Sequence, residues 1–435
     1  MQQTKTAIVW FTNNLRVHDN ETLHKACVNY DRVIGIYCYA PSLFETTQFG
    51  FKKTGKFRQQ FLEASVQDLK ENLSKYNISL YTCYEHPDIS LPKFCFSYKA
   101  DALFFQKEFT TEEVNEIQRV KSKLPKEIKV YENYDQFLFH PDDIQYTIET
   151  IPEVFTVFRK RTEKYVKVRQ ELLPIAKPKE NYIIFKNTFE EERHLPRTES
   201  IDIPPHTAFP FEGGESSAIR RLQDYFFTTK KLSFYKKTRN GLLGTDYSSK
   251  FSSWLANGSI SAKTIYWEVK RFEKEFGSNQ STYWMIFELI WRDYFKYLSL
   301  KHEANLFKLE GIKRTAYEWK TSEKLVAKWI NGETDEPFVN ANMIELKQTG
   351  WMSNRGRQNV ASYFAKELLV DWRIGAAYFE SMLIDYDVHS NYGNWQYVAG
   401  VGNDPRNRKF NIKLQAERYD TKGAYQNLWL QPTLF

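Results

Sequence analysis

The chain has 435 residues, of which 42% are hydrophobic and 26% charged, and its formal net charge is +7. That balance excludes a disordered chain, and with no run of eighteen apolar residues a membrane-spanning helix is not expected. The length suggests two domains or three, and the modest positive charge permits an acidic polymer as partner without demanding one.

The N-terminus, MQQTKTAIVWF, runs directly into a strand pattern. No signal or transit peptide is expected, which for a bacterial chain predicts a cytoplasmic protein. Short apolar runs at 6–11, 32–40, 78–84, 102–106 and 128–134 predict five strands, and amphipathic segments such as 56–76 predict helices between them. Residues 1–135 therefore read as an α/β domain with a doubly wound parallel sheet. The G-x-G-x-x-G fingerprint is absent, so a standard dinucleotide site there is not supported. Cys27, Cys38, Cys83 and Cys95 show no C-x-x-C spacing and read as small buried hydrophobes in a reducing compartment.

Residues 136–215 break this rhythm with eight prolines and a Gly-Gly pair, predicting a linker with one helix near 152–171. From 216 to 435 the apolar spacing is helical almost throughout, predicting an all-α domain. Ten of the eleven tryptophans lie after residue 250, more than a core requires. Such density suits a domain that stacks on planar rings or moves electrons between them.

Four stretches carry candidate chemistry. In TDYSSKFSSWLANGSIS (245–261), hydroxyls and backbone N–H groups around Lys250 suit either a loop with a helix cap or a phosphate. In FELIWRDYFKYL (287–298), Glu288, Trp291 and Arg292 share one helical face, as an ion-paired surface or as a pocket wall. In WMSNRGRQNVASYFAKELLVDW (351–372), arginines crowd a helix start, the end where cations are disfavoured. They call for a carboxylate, a phosphate or a cofactor, and Asp385 or Asp387 is a natural mate. Those two aspartates belong to LIDYDVHSNYGNWQY (383–397), where scattered histidines exclude a metal site, and no G-x-S-x-G or activated cysteine supports a nucleophile.

Taken with IVWFTNNLRVHDN (8–20), NDPRNRKFN (403–411) and YDTKGAYQNLWL (419–430), these motifs resemble the photolyase/cryptochrome flavoproteins, in the cryptochrome-DASH branch. The resemblance covers nearly the whole chain. It implies FAD in the helical domain, with Tyr235, Ser248, Ser249, Lys250 and Phe251 around its phosphates. It further implies that Arg357 pairs with Asp385 beside the isoalloxazine, that Asp387 bonds the ring or ribose, and that Asn391 faces N5. Trp395, Trp372 and Trp319 match the family's three-tryptophan electron relay. Glu288, Trp291, Asn354, Arg355, Gln358 and Tyr397 match the DNA pocket, and Arg239 and Arg408 match residues that hold backbone phosphate. Glu113 matches a carboxylate that contacts a folate antenna, methenyltetrahydrofolate.

The sequence departs from the family pattern at Thr12, Asn14 and Asn340, each of which removes a charge; at 12 and 14, hydrogen bonds are expected to replace an ion pair. Tyr397 and Gln358 stand where duplex-repair enzymes commonly carry Trp and Met. The resemblance thus implies a monomeric lyase that repairs cyclobutane pyrimidine dimers, preferring single-stranded or looped DNA. The alternative is a blue-light receptor with little repair activity, and a third reading is a flavoprotein that binds nucleic acid without catalysis.

Overall fold

The computed structural model describes residues 4–185 and 201–431. Five parallel strands, β1 (Thr6–Phe11), β2 (Arg32–Cys38), β3 (Leu80–Cys83), β4 (Ala102–Gln106) and β5 (Lys129–Asn133), form one sheet in the order β3-β2-β1-β4-β5. Four helices, α1 (Glu21–Asn29), α2 (Lys56–Ser74), α3 (Pro87–Ser97) and α4 (Thr111–Lys123), alternate with these strands. The central strand shows why the sheet is buried on both faces. Ala7, Val9 and Phe11 enter one apolar cluster, and Ile8 and Trp10 enter the opposite one.

The stretch between the domains is packed at both ends. Phe137, Leu138 and Phe139, with α5 (Phe155–Tyr165), join the core of the helical domain. The buried Asp293 carboxylate accepts backbone N–H groups of Leu138 at 3.0 and 2.9 Å and of Phe139 at 2.8 Å. Further on, Asn181 pairs with both backbone groups of Val33 at 2.9 Å, returning the chain to the sheet. The part of the expected linker at 186–200 lies outside the described residues.

The helical domain contains α6 (Glu215–Gln223), α7 (Tyr235–Thr238), α8 (Ser252–Ala256), α9 (Ala262–Phe276), α10 (Gln280–His302) and α11 (Glu323–Asn331). It continues with α12 (Pro337–Thr349), α13 (Asn354–Ser362), α14 (Trp372–Met382), α15 (Val388–Ala399), α16 (Ile412–Tyr419) and α17 (Ala424–Leu430). Two helices expected to run on as α turn instead into π-helix, at Asp224–Thr228 and Tyr363–Glu367. The wider turn lets consecutive residues, Tyr225 with Phe226 and Tyr363 with Phe364 and Ala365, all face inward, which a 3.6-residue period does not. Among the described residues, no helix is long and apolar enough to cross a membrane.

Two of the three departures have local structural answers; the Thr12 hydroxyl is buried without a hydrogen-bond partner, so the hydrogen bond expected of that side chain is not made. Asn14 donates to Asp135 at 3.1 Å and accepts from the Thr12 backbone N–H at 3.1 Å, so hydrogen bonds stand at this position as expected. Asn340 accepts from the backbone N–H of Thr334 at 2.9 Å and donates to its carbonyl at 2.8 Å, closing the turn before α12.

Candidate functional site

A cavity of about 450 Å³ opens in the helical domain, its wall built from α10, the first turn of α13, the α14–α15 corner and α15. That volume lies within the ~300–1,000 Å³ range of cofactor and ligand sites. Side-chain caps fix each wall. Ser353 accepts from the Gly356 N–H at 2.9 Å and starts α13, which presents Asn354, Arg357 and Gln358 to the cavity. Asp387 accepts from the Ser390 N–H at 2.8 Å and starts α15, which presents Asn391, Trp395 and Tyr397. Gly375 on α14 allows α15 to come close: a Cβ there would stand 2.2 Å from the Trp395 ring.

Three carboxylates line the cavity, each beside a cation. Arg357 meets Asp385 at 2.9 Å, Arg239 meets Glu288 at 2.8 Å, and Lys296 meets Asp387 at 2.9 Å. Burial works to raise the Asp387 carboxyl, but Lys296, His389 and Arg292 together hold it far below the ordinary carboxylate range. For Glu288 burial wins and raises the carboxyl, with Arg239 opposing. Burial also lowers Lys296, and Asp387 resists that shift. Asn391 donates its amide N–H to the Ala376 carbonyl at 3.0 Å, which fixes its orientation. The buried indole N–H of Trp395 has no protein partner.

A second cavity, of about 470 Å³, lies between the two domains and contains Glu113 in its wall. Arg292, Tyr386 and Asp387 line both cavities, so a single layer of side chains divides them. Its other carboxyls are Glu108, Glu112 and Glu380. Burial pushes Glu108 and Glu380 up to about 7. Glu113 is raised too, by burial, against a hydrogen bond from Thr110.

Residues 7–179 match the family model described as DNA photolyase, and residues 284–434 match that of the FAD binding domain of DNA photolyase. A cryptochrome DASH from Synechocystis sp. is 43% identical over 434 residues, covering 98% of this chain and 87% of the relative. The chain belongs to the photolyase/cryptochrome family. A cryptochrome DASH from Xenopus laevis is 43% identical over 439 residues, covering 98% of this chain and 83% of its own. The crystal structure of a Synechocystis cryptochrome superposes with a TM-score of 0.92 at 41% identity, covering 99% of this chain and 89% of that one. A class III photolyase from Agrobacterium tumefaciens superposes at 0.80 with 26% identity, covering 99% and 87%.

The helical cavity fits the FAD that this domain binds. Its volume suits the group, its polar lining is held in fixed orientations, and the Trp395 N–H waits without a partner. Of the residues expected at the flavin, Arg357, Asp385, Asp387 and Asn391 line this cavity, but Tyr235, Ser248, Ser249, Lys250 and Phe251 do not. Lys250 has a positive φ of 68°, and its ammonium lies 3.3 Å from the Tyr247 ring centroid and 4.7 Å from that of Trp351. Burial lowers its pKa well below that of an ordinary lysine. Ser252, which falls within the 245–261 stretch but was not among the residues expected at the phosphates, does line the cavity.

Glu288, Trp291, Asn354, Gln358 and Tyr397 also meet there, with Arg239. Trp291 stacks on Phe155 at 3.6 Å and meets Tyr397 edge-on at 6.4 Å. Arg355 turns away, donating to Gln358 at 2.8 Å and Asn240 at 3.2 Å. Arg408 is exposed and lies 3.1 Å from Asp404, so neither basic residue expected at phosphate is without a carboxylate. Trp372 is buried and donates to the Leu309 carbonyl at 3.0 Å, whereas Trp319 is half-buried beside the Lys320–Val370 bridge. The tryptophan in ring contact with Trp395 is Trp329, at 6.2 Å, which sequence reasoning did not single out.

One further residue carried a readable signal. Glu288, Arg292 and Lys296 recur every four positions on α10, and Lys296, which lines the interdomain cavity, reaches Asp387 on the wall the two cavities share. Phe379 and Leu383 carried none, because their place depends on how α14 packs.

Proposed function

We propose that this protein splits cyclobutane pyrimidine dimers by light-driven electron transfer, acting preferentially on single-stranded or looped DNA as a monomer. The observation that carries this reading is one cavity with two parts to its lining. Asp385, Asn391 and Trp395 form a buried part of its lining beside Arg357, and Glu288, Trp291, Gln358 and Tyr397 form a half-buried part. FAD, when bound, supplies the photoexcited one-electron donor.

The chain's own residues divide the remaining work. Arg357, Asp385, Asp387 and Asn391 hold the polar edge of the cofactor, and Ser252 joins Tyr235 and the 248–251 segment on its phosphate side. Trp319, Trp372 and Trp395 carry electrons from the surface inward to the cavity wall. Glu288, kept beside Arg239 at 2.8 Å, accepts a pyrimidine N–H, and Trp291 supplies a stacking plane. Asn354, Arg355, Arg239 and Arg408 engage the DNA, Arg408 exchanging the Asp404 carboxylate for a phosphate, so binding weakens with salt.

A dimer in duplex DNA must leave the stack at a cost of a few kcal/mol. Tyr397 and Gln358 offer less stacking area in return than Trp and Met, which favours bases that are already unstacked. Methenyltetrahydrofolate is proposed as an antenna in the interdomain cavity, with Glu113 contacting it.

The test illuminates the reduced protein with dimer-containing single-stranded and duplex oligonucleotides and measures dimer remaining. Repair of the single strand at least tenfold faster than of the duplex is expected; no light-dependent loss of dimer in either would sink the proposal. For the relay, Trp395→Phe is expected to slow flavin photoreduction more than tenfold, and an unchanged rate would remove Trp395 from it.

A further inference from the structure

Two cysteines that the sequence separates by 45 positions are neighbours in the sheet. Cys38 ends β2 and Cys83 ends β3, and the two are partners in the parallel register of those strands. Their Sγ atoms lie 3.7 Å apart, and the Ser90 hydroxyl of α3 lies 3.2 Å from the Cys38 sulfur. Register partners on adjacent strands face the same side of a sheet, with backbones ~4.8 Å apart. That separation falls within the ~4.4–6.8 Å Cα range over which a disulfide closes.

The two thiols differ in access, as an attacking and a resolving thiol should. Cys38 is 5% exposed, whereas Cys83, on the edge strand, is half-buried. The hydrogen bond between the two sulfurs holds the Cys83 thiol below its ordinary range, and the same contact together with burial pushes Cys38 well up. Cys27 and Cys95 contrast with this pair: burial alone pushes them up to about 11 and about 12.

We propose that Cys38 and Cys83 are a thiol–disulfide exchange site that reversibly bridges β2 to the edge strand β3. The oxidant is a low-molecular-weight disulfide. The Cys83 thiolate attacks one of its sulfurs, the small S–S bond breaks, and one thiolate leaves and takes up the proton that Cys83 released. The Cys38 sulfur then attacks Cys83 Sγ, and the second small thiol leaves with the Cys38 proton. Two protein thiols and one small disulfide become one protein disulfide and two small thiols, with two electrons passed to the oxidant. Excess small thiol reverses both steps.

The experiment equilibrates the full chain in buffers of varied oxidised to reduced glutathione, alkylates free thiols, and reads intact mass and peptide maps. Two of the four thiols are expected to escape alkylation in oxidising buffer, in a linked Cys38–Cys83 peptide, and to return with dithiothreitol. Cys38→Ser is expected to stop at a glutathione adduct on Cys83, about 305 Da heavier, because the resolving thiol is gone. Cys83→Ser is expected to leave the other three thiols unreacted. Four alkylated thiols in every buffer, or a glutathione adduct in the unmutated chain without the linked peptide, would overturn the proposal; both readings come from unmutated protein and do not depend on how the variants fold.

Discussion

The two cavities are close to equal in size, about 470 and 450 Å³, and share a wall, yet they differ in how their buried carboxyls are balanced, Glu288 excepted, which burial raises in the helical cavity too. In the helical cavity each carboxylate sits 2.8–2.9 Å from a cation, and Asp387 is held far below its ordinary range although burial opposes it. In the interdomain cavity burial dominates, and Glu108 and Glu380 rise to about 7. Burial alone therefore does not set the character of a site; the placement of cations does. The helical cavity holds fixed charge for a polar cofactor edge. The interdomain cavity offers carboxyls that exist as donor or acceptor near neutrality, suited to a ligand carrying both ring N–H groups and ring nitrogens.

The largest effect that breaks this contrast is expected from Arg357→Ala. It leaves Asp385, 7% exposed, without its cation at 2.9 Å, turning a paired carboxylate into one like those next door. Removing one partner of such a pair costs about 3–5 kcal/mol. Urea unfolding should register that loss, and the flavin retained per chain after purification should fall with it. Arg357→Lys should lose less on both measures, because the charge remains although the planar fork does not. Equal stability of Arg357→Ala and the unmutated chain would dissolve the distinction between the cavities.

Glu108→Gln tests the other side. The folded-state pKa of Glu108 is raised to about 7 from an ordinary 4.5, so its contribution to stability is fully present below about 4.5 and is lost as pH rises through about 7. The loss is on the order of 3 kcal/mol at most, at 1.36 kcal/mol per pKa unit. Gln keeps an oxygen for the Gln106 N–H that Glu108 now accepts at 2.6 Å, and Lys296 keeps Asp387 as its partner. The variant should therefore match the unmutated chain at pH 4.5 and exceed it in urea at pH 8. A variant no more stable at pH 8 would show that the cavity does not penalise this charge.

Much of this contrast was legible in the sequence on one side only. Arginines placed at the wrong end of a helix dipole called for Asp385 or Asp387 as a mate, and the family resemblance implied the particular pair Arg357–Asp385. The strands of the first domain followed from apolar runs, because both faces of β1 are covered. Lys296, by contrast, pairs with Asp387 across 91 positions, a distance only the fold closes, although its spacing from Glu288 pointed to the right face. The residues expected on the phosphate side ran to Phe251, and Ser252, which lines the cavity, is the next along the chain, a place that depends on the turn the backbone makes at Lys250 with its φ of 68°. The π-turns, the Trp329–Trp395 contact and the Cys38–Cys83 register were hidden for one reason. Each depends on how two elements meet, and periodicity within either element carries no trace of that.

The smallest effect is expected on the half-buried part of the helical cavity's lining, from Tyr397→Trp, and it rests on the proposed repair function. Tyr397 is half-buried, meets Trp291 edge-on at 6.4 Å, and its hydroxyl is tied to Asp404 and Arg408. The indole adds stacking surface against a flipped base, where a whole base–aromatic contact is worth ~1–3 kcal/mol, so the increment from Tyr to Trp is a fraction of that. It also removes the hydroxyl, leaving Asp404 to Arg408 at 3.1 Å and to the Arg406 backbone N–H at 3.0 Å. These changes oppose each other on absolute affinity but not on selectivity: the lost hydroxyl affects single-stranded and duplex substrates alike, whereas added stacking helps only where the lesion must first leave a helix. The ratio of duplex to single-strand repair rates should therefore rise about threefold, which corresponds to less than 1 kcal/mol. An unchanged ratio, with both rates lowered together, would mean that position 397 acts through its hydroxyl on the Asp404 loop and not through its ring on the lesion.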